Sequence, residues 1–210
     1  MLITMKVKGV VLIITLILFI FLLNFKLLVY NTNFYSKELD RLNITIPREL
    51  AETNINNLIS YFKSEKELTT NFFNEKEKLH LRDVKGLINK TIVLFYITLA
   101  LLIILIALNY KNLKKPFIFS GIIAILIIFI FCLINFESFF NNMFHKLLFN
   151  NDLYLLDPSR DNLINLFPYE FFQDFAYRLF LNSFISSLIL ITIGFILKKY
   201  KKLNKSRKAN

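Results

Sequence analysis

Residues 91–135 read TIVLFYITLALLIILIALNYKNLKKPFIFSGIIAILIIFIFCLIN, two apolar runs joined by a short loop that carries three lysines. A helix of about 19 residues spans about 28 Å, close to the thickness of a bilayer's hydrocarbon core. These residues are therefore predicted to cross a membrane and return. Two further apolar runs give an all-α integral membrane protein, whose four transmembrane helices are predicted at residues 7–29, 91–109, 117–135 and 177–197.

The composition of the 210 residues supports a membrane protein. It is 55% hydrophobic with 24 Phe, and 26 Lys and Arg outnumber 15 Asp and Glu. A basic balance also occurs in nucleic-acid binders, but long apolar runs do not, so no nucleic-acid partner is expected. The single cysteine, Cys132, excludes a disulfide within the chain and a Cys-rich metal cluster.

The distribution of charge predicts the orientation. Basic residues without acidic neighbours precede the first span, fill the loop between the second and third spans, and form the tail at 198–210. The positive-inside rule places these parts in the cytoplasm, with both termini inside and outer segments at 30–90 and 136–176. No small-residue cleavage pattern follows the first span, which is read as an uncleaved anchor. We expect a single membrane domain over residues 1–210.

Both outer segments are predicted to contain helices. One apolar stripe recurs at helical spacing behind Pro47, and it consists of Leu50, Ile55, Leu58, Ile59 and Phe62. A second helical pattern, with His80 on one face, leads directly into the second span. Segment 136–176 is rich in aromatic residues and is expected to lie in the membrane interface. Within it, Asp157 and Pro158 resemble the N-cap and first residue of another helix.

The two histidines of the chain, His80 and His145, both belong to the outer segments. Histidine is the usual general acid or base at neutral pH, and Asp83 lies one helical turn after His80. Lone histidines at a membrane surface are also often plain surface residues, and pairing with a carboxylate for metal binding is a further alternative. Lys85 and Arg82 are candidates to steady an oxyanion or an anionic head group, or simple surface cations.

Two irregular strings carry a family resemblance. EKLHLRDVKGL at 77–87 and FHKLLFNNDLYLLDPSRDNLINLFPYEFF at 144–172 resemble, in order and spacing, the small bacterial four-span membrane proteins that include the lipoprotein intramolecular transacylases. The matching positions are His80, Asp83, Val84, Lys85, Phe144, His145, Phe149, Asn151, Asp152, Asp157, Pro158, Pro168, Phe171 and Phe172. Tyr154 is a departure from the pattern, in which this aromatic position is often Trp. Tyrosine keeps an aromatic ring and adds a hydroxyl.

The resemblance implies an acyltransferase at the outer face of the bacterial cytoplasmic membrane. It would move the sn-2 acyl chain of a diacylglyceryl lipoprotein onto the amino group of the N-terminal cysteine and leave a lyso-form lipoprotein. The implied partners are diacylglyceryl lipoproteins and membrane lipid, with no cofactor and no metal. The implied site residues are the catalytic His80 and His145, supported by Asp83, Lys85, Asn151, Asp152 and Tyr154.

The roles of the two histidines remain open from sequence. We assign the base to His80, oriented by Asp83, with His145 as its partner, and expect the two side chains within about 15 Å of each other. The alternative is a non-catalytic membrane accessory protein, in which the aromatic loop binds another protein and the histidines serve packing or pH sensing.

Overall fold

The computed structural model describes residues 2–64, 67–109 and 112–207, without the side chains of residues 2–6, 141, 142 and 198–207. Every regular element in these ranges is helical. The elements are α1 (Leu2–Val29), α2 (Thr32–Leu42), α3 (Arg48–Lys63), α4 (Glu75–Asn109), α5 (Lys114–Cys132), α6 (Phe136–Phe139), a π-helical turn (Phe140–Phe144), α7 (His145–Leu148), α8 (Asn162–Leu166) and α9 (Tyr169–Arg207). Some of the basic residues that predict the cytoplasmic side lie outside the described part. These are the residues at positions 111 and 208, and the side chains at position 6 and at positions 198–207.

Within the described residues, four helices are long and apolar enough to cross a membrane, at Val7–Val29, Glu75–Asn109, Lys114–Cys132 and Tyr169–Leu197. The predicted all-α fold with four transmembrane helices is confirmed. Helix α4 begins 16 residues before the predicted span, because the amphipathic pattern of residues 75–90 continues into it without a break. Residues 75–90 contain eight charged side chains, which are costly in hydrocarbon, so the membrane-spanning part of α4 is the apolar stretch 91–109.

The chain divides into two compact units. The first, here called the membrane unit, comprises Met1–Phe25, Val93–Ile134 and Leu179–Asn210. The second, the site unit, comprises Lys26–Ile92 and Asn135–Arg178. The expectation of a single membrane domain over residues 1–210 stays a prediction.

Close contact between α5 and α9 is characteristic of the membrane unit. A Cβ added at Gly121 would lie 2.6 Å from Cγ1 of Ile191 and 2.7 Å from the backbone oxygen of Ser187. A Cβ at Gly194 would lie 2.6 Å from Cγ1 of Ile118. Small residues at such crossings let the backbones approach, which is how membrane helices gain packing without a hydrophobic driving force.

The site unit contains the predicted amphipathic helices. In α3, the predicted stripe is buried at Ile55, Leu58, Ile59 and Phe62, whereas Leu50 is 44% exposed. Pro47 occupies the N-cap position, so α3 starts one residue after the expected helix-start signal. The helical prediction for this segment is confirmed.

The prediction of a helix starting at Asp157 is wrong. The Asp157 carboxylate accepts hydrogen bonds from the backbone N–H and the hydroxyl of Ser159, at 2.9 and 2.7 Å, and therefore closes a single turn. The helix α8 begins only at Asn162, with Asp161 at its N-cap position. An Asp-Pro pair suits an isolated turn as well as a helix start, which is why the sequence alone misleads here.

Candidate functional site

His80 lies in the charged part of α4, outside the membrane-spanning stretch. Its side chain is 7% exposed, and its ring meets the ring of Phe149 edge to face at a centroid distance of 5.2 Å. Burial, and secondarily the positive charge of a protonated His145, lowers the pKa of His80 to about 4, while the Asp83 carboxylate acts in the opposite direction. His80 is therefore neutral at neutral pH.

His145 follows directly after the π-helical turn. Its Nδ1 lies 3.1 Å from the backbone oxygen of Phe140, five residues earlier. A carbonyl oxygen can only accept, so Nδ1 carries the hydrogen in this contact and the lone pair lies on Nε2. Burial lowers the pKa of His145, against the hydrogen bond to Phe140, which raises it. π-turns are often found at functional sites, and this one provides the carbonyl that fixes the tautomer.

Aromatic rings surround the His145 imidazole. Tyr154 stacks on it at a centroid distance of 4.7 Å and an interplanar angle of 15°, while Phe140 meets it edge to face at 4.8 Å. Phe149 lies 6.2 Å from it and is the same ring that contacts His80. The distance between the two imidazole centroids therefore cannot exceed the sum of their centroid distances to Phe149. This sum is below the separation of about 15 Å expected from the sequence.

Asp83 and Asn151 connect the two strings of the predicted site. The Asn151 amide donates to Oδ2 of Asp83 at 2.9 Å, joining α4 to the loop that follows Phe149. Among the described residues, Nδ1 of His80 is buried and has no hydrogen-bond partner, so Asp83 acts on His80 through its charge.

Lys85 and Asp152 stand apart from the imidazoles in the contacts described. The Lys85 ammonium lies 3.9 Å above the centroid of the Tyr61 ring, in a cation–π contact. The Asp152 side chain is exposed, and its backbone oxygen accepts from the N–H of Leu155 at 3.1 Å. The structure therefore brings together His80, His145, Asp83, Asn151 and Tyr154, but gives Lys85 and Asp152 other contacts.

A buried polar network around Glu77, three residues before His80, is not predicted from the sequence. Glu77 is 0% exposed, and its carboxylate accepts from the backbone N–H groups of Asn74 and Leu163, at 2.6 and 2.5 Å. The Asn74 amide donates to Asp161 at 2.7 Å, and Glu77 donates its own N–H to the Asn74 side chain at 3.0 Å. Burial raises the pKa of Glu77, while the two backbone N–H donors lower it.

The signal for this network was available in the sequence. Asn74 and Glu77 have the spacing of a capping box, in which two side chains satisfy the free N–H groups at the start of a helix. Here the box also holds the segment that follows Asp161, because Glu77 uses its second oxygen on Leu163. Phe149, the ring shared by both imidazoles, has no comparable sequence signal beyond its place in the second string.

The site can supply two neutral imidazoles to a reaction. In the described ranges, no group of three or more His, Cys, Asp or Glu side chains is arranged to hold a metal ion. One imidazole has a fixed tautomer with an available nitrogen lone pair, and the other is held in a buried aromatic environment. Such a pair suits proton transfer at neutral pH.

The helical fold and the paired histidines together define a class, an integral membrane protein with an acid–base site in a helical unit. A family model described as lipoprotein intramolecular transacylase Lit matches residues 10–172. The chain belongs to this family, which confirms the family and the enzyme class predicted from the sequence. Among curated proteins, none matches the chain.

Solved structures agree with this membership. The chain is similar to the membrane integral lipoprotein intramolecular transacylase Lit from Bacillus cereus, with 27% identity and a TM-score of 0.86, over 95% of this chain and 98% of that one. It is also similar to two variants of that protein. A histidine-to-arginine variant matches at 27% identity and a TM-score of 0.84, over 96% and 95% of the two chains. A histidine-to-alanine variant matches at 26% and 0.83, over 95% and 96%.

Proposed function

We propose that the protein moves the sn-2 acyl chain of a diacylglyceryl lipoprotein onto the amino group of that lipoprotein's N-terminal cysteine. The product is a lyso-form lipoprotein with one chain on nitrogen and one on glycerol. The observation that carries the proposal is the contact of both imidazoles with one ring, Phe149, in a chain of the lipoprotein intramolecular transacylase family.

The chemistry needs no nucleophile from the protein. The amino nitrogen attacks the ester carbonyl, a C–N bond forms and the bond from carbonyl carbon to glycerol oxygen breaks. A base takes the proton lost by nitrogen, and the glycerol oxygen gains one. Because amine and ester belong to one molecule, holding them together supplies an effective molarity worth about 7–11 kcal/mol in favourable cases.

The geometry favours His145 as the base, the reverse of the assignment made from sequence. Its Nδ1–H is engaged by the Phe140 carbonyl, so Nε2 has the lone pair that a base requires. His80 is a weak base, because burial lowers its pKa to about 4. As a neutral imidazole it is suited to donate an N–H to the ester carbonyl or to the glycerol oxygen.

The proposed orientation has both termini in the cytoplasm and the site on the extracytoplasmic face. It rests on the unbalanced basic residues, among them Lys8, Lys114 and Lys115. In a Cys132→Ser background, a membrane-impermeant maleimide should label intact cells carrying Lys37→Cys and should leave those carrying Lys8→Cys unlabelled. The opposite labelling would reverse the orientation.

The reaction is tested by mass spectrometry of the N-terminal lipopeptide from a reporter lipoprotein. The host is a bacterium that makes diacylglyceryl lipoproteins, with and without the wild-type protein. The expected result is an unchanged total mass with one acyl chain on nitrogen, seen by fragmentation. An unchanged lipopeptide, despite good expression in the membrane, would favour the accessory-protein alternative.

A further inference from the structure

Asp83 is the carboxylate whose charge reaches His80. It lies one helical turn after His80, is half-buried, and accepts the Asn151 amide at 2.9 Å through Oδ2. Its charge raises the pKa of His80 against the effect of burial. The partner of this carboxylate in the contacts described is the neutral Asn151 amide, which leaves its negative charge uncompensated by a cation there.

Three other carboxylates of the site unit, those of Glu77, Asp161 and Asp157, are engaged elsewhere. Glu77 accepts two backbone N–H groups, and Asp161 accepts the Asn74 amide and the backbone N–H of Asp157, at 2.7 Å each. Asp157 pairs with Arg160 and Ser159. Around His80, the charged groups that act on it are His145, Asp83 and Lys76, and of these only Asp83 is anionic.

The substrate of the proposed reaction brings a positive charge to this place. A free α-amino group has a pKa of about 8 and is mostly an ammonium at neutral pH. A neutral imidazole has no negative charge to pair with the ammonium before the proton is transferred, and an unpaired charge in a buried aromatic site is costly. A carboxylate within reach is therefore required to hold the amine until its proton is removed.

We propose that Asp83, positioned by Asn151, binds the α-ammonium group of the lipid-modified N-terminal cysteine before acyl transfer. This inference rests on the proposed function. Transfer converts the amine into an uncharged amide, so the same carboxylate also separates substrate from product. The site would hold the free-amine form and release the N-acylated form.

The test is a binding measurement that needs no turnover. Two dialkyl-ether lipopeptides, which have no ester to transfer, differ only in a free or an N-acetylated α-amino group. Their affinities for the purified full-length protein in nanodiscs are measured at pH 6.5 for wild type and Asp83→Asn. Asn retains an oxygen for the Asn151 amide, so the variant keeps that contact. Glu75→Gln is the matched control, because Glu75 is an exposed carboxylate at the start of the same helix, paired only with Lys78 in the contacts described.

We expect wild type and Glu75→Gln to bind the free amine about tenfold more tightly than the acetylated form, as for one charge-assisted hydrogen bond. Asp83→Asn should bind the two equally. A preference that survives in Asp83→Asn, or that is absent in wild type, would overturn the inference. Acyl transfer in the ester lipopeptide is measured separately. A protein that binds the free amine preferentially but transfers no acyl chain would refute the proposed reaction and leave the role of Asp83 in binding intact.

Discussion

At the scale of single residues, local environment makes the two histidines chemically different. His80 is held in a buried position against Phe149, whereas the Phe140 carbonyl and the Tyr154 ring set the tautomer and the plane of His145. Burial lowers both pKa values, so the neutral forms of both imidazoles prevail at neutral pH. A neutral imidazole can therefore accept a proton from a substrate without first being deprotonated.

Acid should destabilise the protein through His80. Its pKa is about 4 when folded and about 6.5 when unfolded, so between these values the unfolded chain binds more protons. The free energy of unfolding is therefore unaffected by protonation of His80 above pH 6.5. It decreases as the pH falls towards 4, by at most about 1.4 kcal/mol per pH unit for one proton. The thermal midpoint of His80→Gln in detergent should fall less steeply over this interval than that of wild type.

The other titrating groups are present in both proteins. Among them His145, whose pKa is also lowered by burial, adds a pH dependence of the same sign to wild type and to the variant. The pKa values of Asp157 and Asp161 are lowered from 3.8, so these carboxylates act below the interval. Glu77 has a raised pKa and acts with the opposite sign, but it is present in both proteins. Parallel midpoint curves for wild type and His80→Gln would contradict the assignment of a lowered pKa to His80.

The Tyr154 ring should contribute to the rate by holding His145. Tyr154→Phe keeps the stacked ring, whereas Tyr154→Leu removes it. Aromatic pairs contribute about 0.5–1.5 kcal/mol, so the leucine variant should transfer the acyl chain up to about tenfold more slowly, with the phenylalanine variant within about twofold of wild type. Initial rates on a purified lipopeptide measure both. Equal losses in the two variants would instead assign the role to the hydroxyl.

At the scale of elements, the start of α4 joins two distant segments of the site unit. The capping box at Asn74 and Glu77 starts α4 and, through Leu163 and Asp161, also fixes the segment before α9. One side chain thereby serves a helix terminus and a long-range contact. The local spacing of Asn74 and Glu77 contains a signal for the first of these functions, which the prediction from sequence missed. The second has no sequence signal, because it depends on how the chain returns.

The crossing of α5 and α9 should not tolerate a methyl group at Gly121. Its Cβ would lie 2.7 Å from the backbone oxygen of Ser187, which cannot move as a side chain can. Gly121→Ala is expected to lower stability by about 1–3 kcal/mol, as overpacking does. Gly9→Ala, with nothing within 4 Å of the new Cβ, is the control and should be neutral or up to about 1 kcal/mol stabilising.

Unfolding in a denaturing detergent, followed by circular dichroism, measures both glycine variants. Equal stability of the two would mean that the α5–α9 contact is looser than described. Loss of folded protein for both would instead indicate that glycine is needed in α1 for another reason.

At the scale of the whole molecule, hydropathy predicts more of the fold than of the site. Four apolar helices follow from run length, because an apolar run of about 20 residues can satisfy all its backbone hydrogen bonds in lipid within itself only as a helix. The early start of α4 follows from the amphipathic pattern that leads into its apolar run, whereas hydropathy does not predict the extent of α9 beyond its own run. The juxtaposition of His80 and His145 is also invisible to periodicity, because their contact with Phe149 depends on how two distant segments fold together.

The central claim is that the two histidines act as one unit in a single site. The most direct test compares acyl-transfer rates of wild type, His80→Ala, His145→Ala and the double variant on a purified diacylglyceryl lipopeptide. All four are first matched for membrane insertion and thermal midpoint. Each single variant should lose at least about 100-fold, and the double variant should be no slower than the slower single one. Losses that multiply in the double variant, or full activity in either single variant, would contradict the account.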